Sequence, residues 1–447
     1  MAFAGLCSAL VGGRRILVGR RYATAKALHG DEAQLAVIEA TLLQRISMSK
    51  KDVGQSGVQE DAAALDLLRR AVSQYPTQTD LQRYMANAYY SYCYAKVSAG
   101  EDPGSGFEDG YQAVEATLKL APLDWRVPYT GALLAYPESL YLNNRGLDAR
   151  DAAQRGIRYA EQAIALGAAA NAKGIRADCL AELAKAQYRA GEDPMGTITR
   201  IMEDNAQGVA MAPTDQIMRI NAAAAAVQSA RLVRNLNGDI RPYLEKGAQW
   251  NEGSNPKYIE AQQNRLELGL LQLQSGPAEG WLKGCDSLIQ DCLAVEKQFR
   301  STLPYHSGSA FRFKAKAQIQ AGADPSVSFG EARKRFLEME QKDPSNVQAY
   351  AESAFTCLDE ARWRISKGQT PSKLFKDARA AMERSRKVQA NQALLLALEA
   401  AILRLEAECT STDQRPPLLQ KAKGLWEKAL EGNRHLNVRP DIQTTLS

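Results

Sequence analysis

The sequence predicts an all-α fold: an α-solenoid of antiparallel helix hairpins with a period of about 46 residues. Three observations lead to this prediction. Strong helix formers dominate the chain, and apolar residues recur three and four positions apart, as in segments 81–96 and 393–407. The alternating runs of β-branched residues that mark a strand are absent. Glycine and proline interrupt the helical segments at regular intervals.

Two kinds of break alternate along the chain. In the first, a proline follows three residues after a glycine, at Gly100, Gly191, Gly322 and Gly368. Glycine ends a helix because it adopts the left-handed conformation; Asp or Thr then caps the next helix, and proline fits its first turn. The second break lies 22 residues beyond each glycine, at Pro122, Pro213, Pro344 and, without a proline, Ala390.

The glycines of the first break define the period. They lie at Gly100, Gly191, Gly322 and Gly368, joined by Gly54, which stands 22 residues before Pro76, and by weaker breaks at Gly146, Gly238 and Gly276. The step is close to 46 residues, except in the repeat at 238–276, which is about eight residues short. One hairpin cannot bury its apolar face alone, but stacked hairpins bury a continuous core. We therefore expect a repeat array over residues 54–447, irregular near 238–276. Residues 1–53 form N-terminal helices, either a leader or a partial first repeat.

A small residue stands seven positions before each glycine of the first break. These residues are Cys93, Ala184, Gly269, Ala315 and Ala361. A small side chain at a fixed position predicts that two helices approach closely there.

Small residues, a loop glycine and a proline after the second helix together resemble the tetratricopeptide repeat. The tetratricopeptide consensus has 34 residues, and the repeat of the present chain is longer by about three helical turns. The resemblance is therefore to extended, degenerate members of that class. Segments 184–194, 315–325 and 415–433 also resemble the long helical C-terminal tails of large bacterial serine/threonine kinases. The second resemblance implies a sensing or docking region of a signalling system.

Composition limits the expected classes of partner and the expected cellular compartment. The 56 Lys and Arg exceed the 51 Asp and Glu by only five, and they are spread along the chain, so we expect no nucleic acid partner. No apolar run is long enough to span a membrane. Seven cysteines without a CxxC pair predict buried fillers in a reducing compartment, Cys285 and Cys292 included. We predict a cytoplasmic protein, or a mitochondrial one if the acid-poor, Arg-rich residues 1–30 are a transit peptide.

No catalytic motif is present. The kinase signature set, the Walker A loop, His-Glu-x-x-His and Gly-x-Ser-x-Gly are all missing from the sequence. We therefore predict a protein that is not an enzyme and uses no cofactor or metal. The carboxylates of Glu108, Asp109, Glu338 and Glu340 are interpreted as solvated helix faces, and His306 as a loop or cap residue.

Aromatic residues are the candidates for partner binding. Tyr84, Tyr89, Tyr90 and Tyr92 lie on one predicted helix and cannot all enter one apolar stripe, so some face either the next hairpin or a groove. Tyrosine and tryptophan are effective binding anchors, which adds Trp125 to this set. Arg362 and Trp363 form a second, weaker patch.

Two functions are consistent with these features. The leading hypothesis is a non-catalytic scaffold that binds a peptide or protein segment on its concave face. The alternative is a regulatory region of a bacterial serine/threonine kinase system whose catalytic domain is absent from this chain.

Overall fold

The computed structural model describes residues 32–52, 56–276, 280–299, 304–344, 347–388, 392–439 and 442. These residues form eighteen α-helices and one 3-10 helix, and they contain no strand. The predicted all-α fold of successive helix hairpins is confirmed. The predictions for residues 1–31, Gly54 and Ala390 lie outside the described residues.

The helices follow one another with short connections. The first nine are α1 (Glu32–Asp52), α2 (Val58–Gln74), α3 (Thr79–Ser98), α4 (Gly106–Leu120), α5 (Arg126–Asn144), α6 (Arg150–Ala165), α7 (Ala169–Arg189), α8 (Met195–Met211) and α9 (Gln216–Asn235). The others are α10 (Arg241–Asn251), α11 (Ile259–Ser275), α12 (Trp281–Gln298), α13 (Tyr305–Gln320), α14 (Ser326–Lys342), α15 (Val347–Ser366), α16 (Ser372–Val388), α17 (Gln392–Glu408) and α18 (Arg415–Gly432). The 3-10 helix Arg434–Asn437 follows α18.

The predicted breaks coincide with the helix ends. Helices α3, α7, α13 and α15 each end two residues before the glycine of a first-kind break. Those glycines are left-handed, with φ of 72° at Gly100 and 73° at Gly191. Helices α4, α8 and α14 end two residues before the proline of a second-kind break. In the repeat predicted to be irregular, α10 is only 11 residues long; the irregular repeat itself stays a prediction.

The helices that follow two of the first-kind breaks begin one position later than predicted. Pro194 and Pro325 occupy the N-cap positions of α8 and α14, not their first turns. The preceding aspartates still satisfy a free helical N–H. Asp193 Oδ1 accepts a hydrogen bond from the Met195 N–H at 2.9 Å, and Asp324 accepts one from Ser326 at 2.9 Å.

Two compact units make up the described chain. Unit 1 comprises residues 32–138 and 152–176, and unit 2 comprises residues 139–151 and 177–442. In unit 2, the first helices of successive hairpins (α9, α11, α13, α15 and α17) contact one another, and the second helices do so less. The first helices therefore form the inner layer of unit 2, and we call their shared surface the inner face. The boundary predicted between residues 53 and 54 stays a prediction.

Four of the five small residues predicted at close helix approaches, Cys93, Ala184, Ala315 and Ala361, are fully buried, whereas Gly269 is half-buried. A Cβ built on Gly106, in α4, would lie 2.8 Å from the Cys93 sulfur in α3, so these two helices leave no room for a side chain there.

Two cysteine predictions are confirmed, and one carboxylate prediction is wrong. Cys285 and Cys292 are fully buried, and burial raises the pKa of each thiol to about 12. Glu340 is also buried; it accepts from Ser353 at 2.6 Å and pairs with Arg384 at 2.8 Å. No helix in the described ranges combines the length and the apolar character that a membrane span needs.

Candidate binding site

A cleft of about 460 Å³ opens on the inner face of unit 2. Helices α9, α11, α13 and α15 supply most of its wall, and Arg439 adds one residue from beyond α18. Its charged lining residues are Arg231, Arg234, Arg312, Lys316, Arg439, Glu267 and Glu352. Several helices thus contribute polar side chains to one cleft.

Helical periodicity explains why these side chains meet. On α13, Tyr305, Ser309, Arg312 and Lys316 are spaced four, three and four residues apart and all line the cleft. Residues at this spacing lie on one face of a helix. Trp281 contributes an aromatic wall, because its ring lies 4.8 Å from that of Phe313.

Glu267 is the buried acid of the cleft. Its Oε1 accepts a hydrogen bond from Arg231 Nε at 2.5 Å, and its Oε2 lies 3.1 Å from His306 Nε2. Burial would raise the pKa of Glu267, but the Arg231 guanidinium and His306 outweigh burial and hold this pKa below its usual range. The loop or cap role predicted for His306 is therefore wrong; His306 lies in the first turn of α13.

A second ion-pair cluster links α13 to α15. Arg312 donates to Glu352 and to Asp359, both at 2.7 Å, and the Lys316 ammonium lies 3.1 Å from Asp359. Burial of Asp359 acts to raise its pKa, but the two cations outweigh burial and lower that pKa. These pairs hold successive first helices in register along the inner face.

Tyr305 connects the two clusters. Its hydroxyl accepts a hydrogen bond from Gln348 Nε2 at 2.8 Å, and the Arg231 guanidinium lies 5.2 Å from its ring. Burial is the main cause that raises the pKa of Tyr305. The tyrosine therefore stays a neutral hydrogen-bonding group throughout the physiological range.

Cations outnumber carboxylates in the cleft. Five of its lining residues are cationic, and only Glu267 and Glu352 are anionic. Even with Asp359 behind the wall, the local charge stays positive. A partly enclosed surface with excess guanidinium and ammonium groups favours an anionic ligand, because carboxylates match Arg geometry. The described residues contain no group of three or more metal-ligating side chains.

The structure places the predicted tyrosines on α3 of unit 1. Tyr89 is buried, and its hydroxyl accepts from Arg69 Nε at 2.9 Å. Tyr84, Tyr90 and Tyr92 are half-buried. Tyr84 lies 4.7 Å from the Arg83 guanidinium, and the Tyr90 ring lies 6.0 Å from that of Tyr94. Tyr89 therefore serves packing, whereas a binding role for the half-buried three stays a prediction.

The other predicted binding residues are also half-buried. The Trp125 ring lies 6.0 Å from Tyr129, edge on, and packs against a cluster of buried alanines in unit 1. Arg362 and Trp363 lie near the end of α15. Burial lowers the pKa of Arg362. None of these three lines the cleft.

Sequence reasoning missed the cleft. Its residues are scattered between positions 231 and 439, and each alone looks like an ordinary charge on a helix. The period held one signal: Glu267 and Asp359 each lie nine residues before a break glycine, Gly276 and Gly368. A charge that recurs at one repeat position indicates a shared face, whereas Arg231 and Arg312 do not keep this position.

No protein-family model matches this chain, and no curated protein matches it. Among solved structures, it is similar to the human IFIT1 dimer with m7Gppp-AAAA, at 14% identity and a TM-score of 0.38, over 91% of this chain and 72% of that one. It is also similar to yeast Tom70, at 10% identity and a TM-score of 0.34, over 96% of this chain and 94% of that one. Values this low assign neither a family nor a function.

Proposed function

We propose that this protein is a non-catalytic interaction scaffold whose unit 2 binds an acidic peptide or protein segment in the inner-face cleft. The observation that carries the proposal is the excess of five lining cations over two lining carboxylates in a cleft of about 460 Å³. Trp281 and Phe313 add an apolar wall that suits the aliphatic part of a peptide.

An extended peptide fits this charge pattern better than a small anion does. The cations occur on α9, α13 and the segment after α18, so they are spread along the cleft instead of converging on one point. A chain of carboxylates can contact several of them at once. Backbone groups of the peptide can also bond with polar lining residues such as Gln348 and Gln274.

The test uses fluorescent hexaglutamate, with hexaglutamine as the neutral probe. Lys316→Gln removes one lining cation but leaves Arg312 beside Asp359, so we expect the fold to persist. Binding of hexaglutamate should weaken about fivefold, which is about 1 kcal/mol. The matched control is Arg241→Gln, which removes an exposed arginine that does not line the cleft. This control should bind like the wild type.

Two results would contradict the proposal. One is hexaglutamate binding that Lys316→Gln and Arg241→Gln weaken equally, which would indicate attraction by net charge alone. The other is tighter, Lys316-dependent binding of a hexa-adenylate RNA, which would make nucleic acid the ligand.

Three further predictions from the sequence are part of this proposal. They are the regulatory role in a bacterial kinase system, the cytoplasmic location and the absence of catalysis. A kinase domain encoded beside or fused to a homologous chain would support the first. Phosphotransfer by the purified protein, abolished by one substitution, would contradict the last.

A further inference from the structure

A short segment of the chain crosses the inner face of unit 2 after α18. It consists of the 3-10 helix Arg434–Asn437 and its flanking residues. We call Asn433–Arg439 together with Ile442 the strap. Its turn is held by the Asn433 side chain, whose Oδ1 accepts from the His435 N–H at 3.0 Å.

One part of the strap contacts the end of α7. The His435 ring stacks on Tyr188, with centroids 5.4 Å apart and planes 11° apart, and its Nε2 lies 2.8 Å from the Glu192 carbonyl oxygen. A Cβ built on Gly191 would lie 3.3 Å from the Arg434 nitrogen. The contact joins residues 243 positions apart, and the backbones meet so closely that a side chain at Gly191 would require a small shift.

Another part of the strap is anchored in the apolar core. Leu436 and Ile442 are each 1% exposed, and both belong to the cluster built by helices α15 to α18. Burial of two aliphatic side chains this completely stabilises the docked strap against the entropy lost in ordering it.

The docked strap brings Arg439 to the cleft. Arg439 lines the cleft, and its guanidinium carbon lies 5.5 Å from the Phe355 ring. The Arg312 guanidinium lies 5.1 Å from the same ring. Arg439 thus adds a guanidinium group to the cleft beside Arg312, whose own charge is paired with Glu352 and Asp359. The strap therefore forms one wall of the cleft without filling it.

We infer that the strap is a ligand-coupled wall of the cleft and that Arg439 is a specificity-determining residue for the acidic segment. This inference rests on the proposed function. The strap contributes a cation only when it is docked, so an acidic ligand binds the docked state better. By reciprocity, the ligand also strengthens docking of the strap.

The experiment uses the full chain and the hexaglutamate probe. Arg439→Gln should weaken hexaglutamate binding about fivefold, whereas Arg434→Gln, at an exposed strap position that does not line the cleft, should not. Hydrogen exchange gives the second readout. The Leu436 and Val438 amides are hydrogen-bonded within the strap, so hexaglutamate should slow their exchange in the wild type but not in Arg439→Gln.

The outcomes separate the two proposals. If Lys316→Gln weakens binding but Arg439→Gln does not, and strap exchange ignores the ligand, the strap inference is wrong and the cleft proposal stands. If the ligand speeds strap exchange, the strap competes with the ligand and the inference is overturned. If wild-type protein does not bind hexaglutamate, both are wrong. Leu436→Asp, which undocks the strap, should reproduce the Arg439→Gln loss while circular dichroism stays unchanged.

Discussion

Asp178 and Glu182 place two carboxyl groups one turn apart on α7. Glu182 is buried; it accepts from Asn143 Nδ2 at 2.6 Å and pairs with Lys185 at 2.6 Å. Asp178 has the less favourable environment. Burial, with a further contribution from Glu182, raises the pKa of Asp178 to about 7. Ionised Asp178 therefore opposes folding at neutral pH.

Asp178→Asn should stabilise the protein at pH 8. Because the folded pKa of Asp178 exceeds its unfolded pKa, the contribution of this residue to stability is greatest below about pH 4 and is lost as pH rises through about 7. We expect the variant to gain about 2 kcal/mol at pH 8, allowing for partial exposure, and little at pH 4. Urea unfolding at both pH values measures this. An equal effect at both would show that titration of Asp178 is not the cause.

Tyr89→Ala and Tyr84→Ala should behave differently. Tyr89 is 6% exposed, so its truncation should lower the free energy of unfolding by about 3 kcal/mol. Tyr84 is half-buried, and its truncation should cost less than about 1 kcal/mol while weakening any partner that uses the predicted groove. Urea unfolding and a pull-down on both variants check this. A Tyr84 variant as unstable as the Tyr89 variant would assign Tyr84 to packing.

At the scale of the element, the repeat glycines fix where helices end. Gly322 has φ of 72°, and a Cβ built there would meet no atom within 4 Å. The glycine is thus required for its backbone conformation and not for space. A non-glycine residue in the left-handed region costs roughly 1–2 kcal/mol.

Gly322→Ala should destabilise the protein, and Gly330→Ala should stabilise it. Gly330 lies within α14 and also has open space around a Cβ, so alanine there gains helix propensity of roughly 0.5–1 kcal/mol. We expect Gly322→Ala to lower the free energy of unfolding by about 1 kcal/mol. Thermal unfolding of both variants measures the pair. Shifts of the same sign would contradict a conformational role for Gly322.

The ends of the helices could be predicted from the sequence, but the cleft could not. A glycine or proline acts on its own neighbours, so Gly100 and Pro122 reveal the ends of α3 and α4 locally. The cleft depends on which helix faces meet, and Glu267 meets His306 only through the stacking of α11 and α13. The burial of Glu340 and Glu267 cannot be predicted from these residues alone, because the neighbouring hairpin is what covers them.

At the scale of the whole molecule, buried ion pairs make the fold sensitive to acid. Asp359 and Glu267 both have lowered pKa values in the folded protein. Their contribution is present above the unfolded pKa, near 4, and is lost as pH falls toward the folded values. The raised pKa of Asp178 lowers stability as pH rises toward 7, whereas the ion pairs of Asp359 and Glu267 are lost as pH falls below about 4. Together these two effects place the stability maximum on the acidic side of neutrality.

Asp359→Asn should make the free energy of unfolding depend less on pH between pH 3 and pH 6. The variant lacks the ionised partner of Arg312 and Lys316, so we expect it to lose about 3 kcal/mol at pH 6 and less at pH 3. Asp413→Asn, at an exposed position, is the control and should follow the wild type. Urea midpoints from pH 3 to pH 6 measure the difference. A constant loss across that range would contradict the ion-pair explanation.

The contact between His435 and Glu192 has a consequence for the order of folding. Stacked hairpins form through neighbours in the chain, but this contact closes a loop of 243 residues. Loop closure of that length is entropically costly until the intervening hairpins have shortened it by folding. The hairpins should therefore assemble first, beginning during synthesis, and the strap should arrive last. A nascent chain on the ribosome would then expose an inner face that the finished protein partly covers.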